Sequence, residues 1–193
     1  MTRSPTSSRK TGAIAALAAY AMLALPTQAQ TPASAIQDAV AANPYFDNAA
    51  PADVAQFCPD FSALGESDKR AFWGSLLSAI GEAEGGAEPS QTHWLLYDGA
   101  VHRPAFRRGL FQISIEAARS PRYDCAVRNA TDLAAPEANA ACAAKILETS
   151  IRETGAIAGA GRYWPSLAHA ERRARISVVT SSRSPCSAAE PNS

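Results

Sequence analysis

The chain has 193 residues, which is enough for one domain. Apolar residues make up 47% of it and charged residues 19%, a composition that excludes a disordered or low-complexity protein. Its 18 basic and 18 acidic side chains balance, so no positive field is available to hold a nucleic-acid backbone. Alanine is frequent and glycine is scarce, which favours helix over sheet.

Residues 1–29 have the three-part pattern of a cleaved secretory signal. A basic start with Arg3, Arg9 and Lys10 precedes a charge-free, mostly apolar run from Gly12 to Leu25, and small residues then offer a cleavage site. This run is shorter than the roughly 20 residues of a membrane span, so an uncleaved anchor is the weaker alternative. We therefore expect an exported protein, periplasmic or secreted, without stable membrane insertion after cleavage. Loss of three basic groups and no acidic ones leaves a net charge of −3.

Four cysteines follow the signal, and an even number in an exported chain indicates two disulfides. Three pairings are possible. We favour Cys125–Cys142, which closes a short loop, and Cys58–Cys186, which ties the start of the domain to its end. A zinc site is the alternative, but the spacing contains no Cys-x-x-Cys and no paired histidines.

The first half of the mature chain predicts helices and one long loop. Residues 30–49 predict a linker or a frayed helix leading into the domain, and Ala50–Phe57 predicts a short helix. Ser67 is a predicted N-cap for a helix over Asp68–Glu84. Residues 87–108 contain two prolines and no clear period, so we predict a loop beside a site.

The second half predicts three further helices. Ser114 is placed to cap a short helix that runs through Ala118. A long helix is predicted over Pro136–Thr154, with Gly155 as the residue that ends it. Ser166 is a predicted cap for a last helix over Leu167–Val179. The fold class is therefore all-α, with at most a minor β element, in one domain over 50–186 and a tail over 187–193.

One carboxyl group falls on the apolar side of the predicted helix Asp68–Glu84. At 100° per residue Glu84 lies in the same sector as Trp73 and Ile80, whereas Glu82 faces away. Apolar surroundings favour the protonated form of a carboxyl group, which is the form that a general acid needs. The alternative is that the helix frays early and Glu84 is solvated at its end.

Four segments, in their order and spacing, carry a resemblance to a known family: Ala79–Gly85, Pro89, Gly109–Ser114 and Gly161–Trp164. Over roughly residues 58–176 the chain resembles the lytic transglycosylases of the SLT, lysozyme-like superfamily. That family places a catalytic glutamate at the end of a helix. A Gly-Leu-Met-Gln-Ile motif follows, and a tyrosine-bearing motif comes after a further helix.

The resemblance implies a lysozyme-like fold and a role for each matching residue. Glu84 would be the single acid/base, and Gln112 would hydrogen-bond the glycan. Phe111 would pack against a sugar where the family usually has Met, and Tyr163 would orient Glu84 or the substrate. The chain departs from the family at two positions, with Gly85 in place of Ser and Trp164 in place of Asn.

The implied activity is non-hydrolytic cleavage of peptidoglycan between N-acetylmuramic acid and N-acetylglucosamine, which leaves a 1,6-anhydro end. The expected ligands are peptidoglycan glycan strands, without a metal or organic cofactor, and a secretion or wall-assembly protein is a possible partner. A hydrolytic muramidase on the same fold is one alternative and would need a second acid, with Asp98 placed best and Glu88 and Glu116 next. A non-catalytic peptidoglycan-binding protein is the other.

Overall fold

The structure is a computed structural model and describes residues 30–85, 88–98 and 103–187. The predicted signal over 1–29 and residues 188–193 of the tail lie outside these ranges. The described residues form eight α-helices, namely α1 Pro32–Ala41, α2 Tyr45–Asn48, α3 Val54–Phe57, α4 Glu66–Gly85, α5 Ile115–Ala118, α6 Pro136–Thr154, α7 Pro165–Ala168 and α8 Ala170–Ser181. They also form three strands, β1 Thr92–Asp98, β2 Arg103–Arg108 and β3 Ile113–Ser114. The prediction of a mainly helical domain is confirmed.

Helix α4 is the centre of the core. Its inward side chains are fully buried: Phe72, Trp73, Leu76, Leu77 and Ile80. The helix begins at Glu66, so the predicted cap Ser67 is wrong and lies inside the first turn. Helical bonding starts at Gly65, whose carbonyl accepts a hydrogen bond from the Lys69 amide at 2.9 Å.

The segment 30–49 is not a linker or a frayed helix. Helix α1 packs against α4 and α6, and it buries Ile36 and Val40. Helix α2 follows and buries Phe46, whose ring centre lies 5.1 Å from that of Trp73. Only three large apolar side chains mark this segment, and the small and polar residues around them concealed a packed element. The helix predicted over Ala50–Phe57 is shorter and forms only at α3.

The loop predicted over 87–108 is also wrong, because most of it forms a hairpin. Strands β1 and β2 pair antiparallel, with Trp94 opposite Phe106 and His93 opposite Arg107, and β3 pairs with β2. The inward-facing residues of a strand are normally apolar, but on β2 Arg107 points inward and Phe106 points outward. This reversed pattern removed the alternating signal that would have predicted a strand.

Helix α6 has the predicted bounds, since Pro136 opens it and Gly155 ends it in the left-handed conformation at φ 73°. The last helix, predicted over Leu167–Val179 with Ser166 as its cap, is wrong. The segment forms two helices, and Ser166 lies inside α7, which begins at Pro165, while α8 begins after a break at His169. The Arg173 guanidinium donates to the carbonyls of Leu167 and Ala168, at 2.7 and 3.3 Å, which the break leaves open. The predicted cap at Ser114 is confirmed, as its hydroxyl accepts from the amide of Ala117.

Both predicted disulfides are present. Cys58 is joined to Cys186 across 128 positions, and Cys125 is joined to Cys142 across 17. The paired cysteines therefore hold no zinc. Within the described ranges, no helix has the length and apolar character needed to cross a membrane.

Asn139 on α6 holds the hairpin against the helices. Its side chain is fully buried and donates to the carbonyls of Arg108 at 3.0 Å and Leu133 at 2.8 Å. Its oxygen accepts from the Phe111 amide at 2.9 Å. Gly109 has φ 73°, and a Cβ there would lie 2.4 Å from the Asn139 amide nitrogen. One side chain thus satisfies three backbone groups and requires glycine at 109.

We expect Asn139→Ala to lower the free energy of unfolding by about 3 kcal/mol, since it leaves buried backbone donors and acceptors without partners. Urea denaturation of the purified protein measures this. Asn48→Ala, at an exposed position of α2, is the control and should change stability by less than about 0.5 kcal/mol. Equal effects of the two substitutions would contradict the role given to Asn139.

Removal of either disulfide should destabilise the fold, and the longer loop should matter more. In the chain-entropy model, Cys125–Cys142 contributes about 3 kcal/mol and Cys58–Cys186 about 5 kcal/mol. Paired Cys→Ser variants compared by thermal melting test this order. A larger loss of stability from the short loop would refute it.

Candidate active site

Glu84 lies in the last turn of α4, and its side chain is half-buried. The amide of Ser166, in α7, donates a 2.8 Å hydrogen bond to its Oε1. No described residue hydrogen-bonds the other oxygen, Oε2. Glu82, two residues earlier, is exposed, as the helical wheel predicts. The carboxyl group of Glu84 is therefore fixed through one oxygen at the junction of two helices.

Gln112 is brought next to the end of α4. Its side chain is 2% exposed, and its Nε2 donates to the Gly109 carbonyl at 2.9 Å. Its Oε1 is buried and has no hydrogen-bond partner in the described part of the chain. The backbone at Gln112 is left-handed, with φ 50°, which is uncommon for a residue with a side chain. Gln112 packs against Gly85, at the end of α4, and an uncommon backbone conformation and an unsatisfied acceptor are both typical of functional sites.

Gly85 permits this close approach. A Cβ at this position would lie 2.9 Å from the Leu110 carbonyl, 3.2 Å from the Gly109 carbonyl and 3.3 Å from the Gln112 amide nitrogen. The Ser that the resembling family usually carries here would clash with the loop. Gly85 is therefore a packing requirement of this chain, and polar support of Glu84 comes from the Ser166 amide instead.

Tyr163 is buried in the core beside the site. Its side chain is 2% exposed, and its hydroxyl accepts a hydrogen bond from the Ser114 amide at 3.3 Å. The ring packs edge-on against Tyr123 and Trp164. In this arrangement Tyr163 positions the segment that carries Ser166, and it does not present an open face to a substrate.

Phe111, which was predicted to pack against a sugar, lies inside the core in this structure. Its side chain is fully buried, with its ring centre 6.2 Å from that of Trp164. The Trp164 indole nitrogen donates to the Phe111 carbonyl at 3.1 Å. Trp164, which replaces the family's Asn, therefore ties the Gly109–Ser114 motif to the Gly161–Trp164 motif. The tryptophan at position 164 therefore fills space in the core.

Arg107 is a buried charged residue that the sequence did not single out. It is 5% exposed, its guanidinium lies 4.7 Å from the centre of the Tyr163 ring, and it donates to the Tyr163 carbonyl at 3.4 Å. No local pattern distinguishes it from the arginine that follows it. Arg107 links the hairpin to the segment that holds Glu84.

A pocket of about 430 Å³ between α1 and α6 is a rival location for a site. Its one carboxylate, Glu148, is 2.7 Å from the Arg152 guanidinium and accepts from the Asn43 amide at 2.9 Å. A carboxylate held by two donors is less available for proton transfer than one with a free oxygen. The chemistry thus favours Glu84 over this pocket.

The other acids considered for catalysis differ in their surroundings. Glu88 is exposed, and the side chain of Asp98 lies outside the described part of the structure. Glu116 is half-buried on α5, and its Oε2 is buried without a partner among the described residues. Within those residues, no group of three or more His, Cys, Asp or Glu side chains could hold a metal ion.

Gly85→Ala should destabilise the protein by about 1–3 kcal/mol, because the added methyl group meets the Leu110 carbonyl. Gly65→Ala is the matched control, since a Cβ there has nothing within 4 Å. Chemical denaturation of both variants measures the difference. If Gly85→Ala and Gly65→Ala lowered the free energy of unfolding equally, the Gly109–Gln112 loop would not be packed against the end of α4.

Solved structures of DslA (Bd0314) share this fold. Two Glu→Gln variants of DslA align at 24% and 25% identity, each with a TM-score of 0.70, and a wild-type form aligns at 26% with a TM-score of 0.69. Each alignment covers 80% of this chain and 90% of the DslA chain. No protein-family model and no curated protein matches the sequence. The chain is thus similar to DslA in fold, at low sequence identity.

Proposed function

We propose that the protein is a peptidoglycan lytic transglycosylase with Glu84 as its single acid/base. The observation that carries the proposal is the position of this carboxyl group, half-buried at the end of α4 and held through one oxygen by the Ser166 amide. Gln112, with its unsatisfied Oε1, packs against Gly85, the residue that follows Glu84. The fold shared with DslA, of which Glu→Gln variants have been solved, supports a role for a glutamate.

In this mechanism Glu84 acts twice. Its carboxylic acid donates a proton to the oxygen that links N-acetylmuramic acid to N-acetylglucosamine, and the bond from C1 to that oxygen breaks through an oxocarbenium-like transition state. The acetamido group of the substrate would stabilise the cation. The 6-hydroxyl of the same sugar then attacks C1, and its proton passes to the Glu84 carboxylate. The acid is regenerated, and the product carries a 1,6-anhydro ring without consumption of water.

The Ser166 hydrogen bond orients the carboxyl group for these steps. With Oε1 held by a backbone amide, Oε2 is the oxygen that would exchange the proton. Both transfers then use one oxygen in one position, which suits a proton donated and recovered on the same side of a sugar. Gln112 would hydrogen-bond the glycan through Oε1 only if the Gly109–Gln112 loop moved, because that oxygen is buried.

Export of the protein belongs to the same proposal. Two disulfides are typical of proteins that fold outside the cytosol, in the periplasm or a secreted state, where peptidoglycan is accessible. The charge of −3 predicted for the cleaved chain gives no general attraction to an acidic polymer. Binding would therefore depend on local contacts.

Mass spectrometry of the soluble fragments released from purified peptidoglycan tests the activity. Anhydro-ended muropeptides are expected from the wild type. Glu84→Gln should slow their release by about 100-fold or more, because the amide cannot donate the proton. Glu82→Gln, a change of the same kind two residues away on an exposed face, is the control and should keep full activity.

Hydrolysis of the same glycosidic bond is the alternative function, and the comparison with DslA is consistent with it. Glutamates at two different positions were replaced in the solved DslA structures, and hydrolytic glycosidases generally use two carboxylates. Reducing-end fragments, heavier by one water, would establish a muramidase here and direct attention to Asp98 and Glu116. Absence of fragments from wild-type protein that still binds the wall would leave a peptidoglycan-binding protein.

A further inference from the structure

The pocket between α1 and α6 is bounded on one side by a single face of α6. Ala138, Ala141, Lys145, Glu148 and Arg152 line it, and steps of three or four residues place them in one row along the helix. The cavity of about 430 Å³ is within the size range of small-molecule sites. Because both oxygens of the carboxylate in this row are held by donors, the pocket is better suited to binding than to acid–base chemistry.

One end of the row is apolar. The pocket has six alanines in its lining, and their small side chains leave the space between the helices unfilled. Ala39 of α1 faces this space together with Ala138 and Ala141 of α6, and the Cys125–Cys142 disulfide closes it on another side. These side chains offer methyl groups and sulfur atoms to a ligand. This end of the pocket therefore favours an apolar group.

The other end of the row is polar and held in place. The Arg152 guanidinium lies 2.7 Å from one oxygen of Glu148, and the Asn43 side-chain amide donates to the other at 2.9 Å. The same guanidinium lies 4.3 Å from the centre of the Tyr45 ring. These contacts balance the charge of Glu148 and fix the wall that Tyr45 forms.

Lys145 gives this end of the pocket a positive charge. It is exposed, and no described carboxylate forms a salt bridge with it. Lys145 and Arg152 carry two positive charges and Glu148 one negative charge, so the charged residues of the lining sum to +1. Burial raises the pKa of Tyr45, so its hydroxyl stays protonated and can donate a hydrogen bond. The polar end therefore suits an anion.

The length of the apolar end limits the body of the ligand. Ala138 and Lys145 are seven residues apart in α6, which is about 10 Å along the helix axis and the length of a chain of about eight carbons. A ligand with its anionic group at Lys145 can thus lay a chain of that length over Ala141 and Ala138. The charge and the apolar surface are complementary to one amphiphilic molecule.

We propose that the pocket between α1 and α6 binds an amphiphilic carboxylate with an unbranched apolar chain of about eight carbons. The chain lies along Ala138 and Ala141, and the carboxylate accepts hydrogen bonds from the Lys145 ammonium and the Tyr45 hydroxyl. No residue of the candidate active site lines this pocket. The proposal is therefore independent of the proposed function.

Titration of the purified, ¹⁵N-labelled protein with sodium octanoate, followed by NMR, tests the proposal. Octanoate should shift the backbone amide signals of Ala39, Ala141 and Lys145, with a Kd on the order of 1 mM for a ligand of this size. Acetate has the charge without the chain, and octylammonium has the chain with the opposite charge. Each should bind at least about tenfold more weakly. Unshifted signals at about 10 mM octanoate, or equal binding of octylammonium, would overturn the proposal.

Two substitutions separate the charge from the cavity. Lys145→Gln should weaken octanoate binding about fivefold and leave the binding of uncharged octanol unchanged. Ala141→Leu, at an exposed position of α6, fills the apolar end and should abolish the binding of both molecules. Arg172→Gln is the control, because it removes an exposed cation from α8, outside the pocket, and should bind octanoate as the wild type does.

The outcomes keep folding, carboxylate binding and catalysis apart. Lys145 and Ala141 are exposed, so both variants should melt close to the wild type, and undiminished octanoate binding by folded Ala141→Leu would overturn the proposed site. The comparison of octanoate with octylammonium needs no change in the chain. Glu84→Gln should bind octanoate normally, so loss of cleavage leaves this proposal standing. Absence of octanoate binding overturns it and leaves the proposed function untouched.

Discussion

The hydrogen bonds of Asn139 hold together the parts of the protein from which the candidate site is built. One side chain of α6 fixes the end of β2, the start of the Gly109–Gln112 loop and a turn before its own helix. Because Asn139 occupies the space beside Gly109, the loop turns sharply there and sends its carbonyls toward α4. The contact of Gln112 with Gly85, at the end of α4, follows from this turn.

Gly85 and Trp164, the two positions at which the chain departs from the pattern it resembles, are explained by one packing arrangement. Gly85 removes a side chain where the loop carbonyls approach, and Trp164 adds one where its indole can reach the Phe111 carbonyl. The loop is thereby pressed between α4 and the segment that leads to α7. A backbone amide, which no substitution at 166 other than proline removes, supplies the hydrogen bond to Glu84.

Local signals in the sequence predicted the parts of the fold that local physics determines. Pro136 and Gly155 mark the ends of α6 because the conformations they favour are needed only there, and the helical period placed Glu84 and Glu82 on different sides of α4. Tertiary contacts determined the rest. The hairpin was missed because Arg107 is satisfied by Tyr163, and the break before α8 depends on Arg173, whose partners lie in the preceding turn. Nothing in the neighbouring sequence marks Asn139 as buried.

The order of the cysteines along the chain bears on how the protein matures. Cys58 leaves a ribosome or a translocon first, yet its partner Cys186 is the last of the four. An oxidant that joins thiols as they emerge would link Cys58 to Cys125. The two remaining cysteines, Cys142 and Cys186, would then form a second non-native pair. Correct maturation therefore needs either an isomerase that exchanges disulfides or early burial of Cys58, which the fold keeps fully covered. A compartment with oxidising power but no means of exchange would yield misbridged chains unless Cys58 is buried before it meets the oxidant.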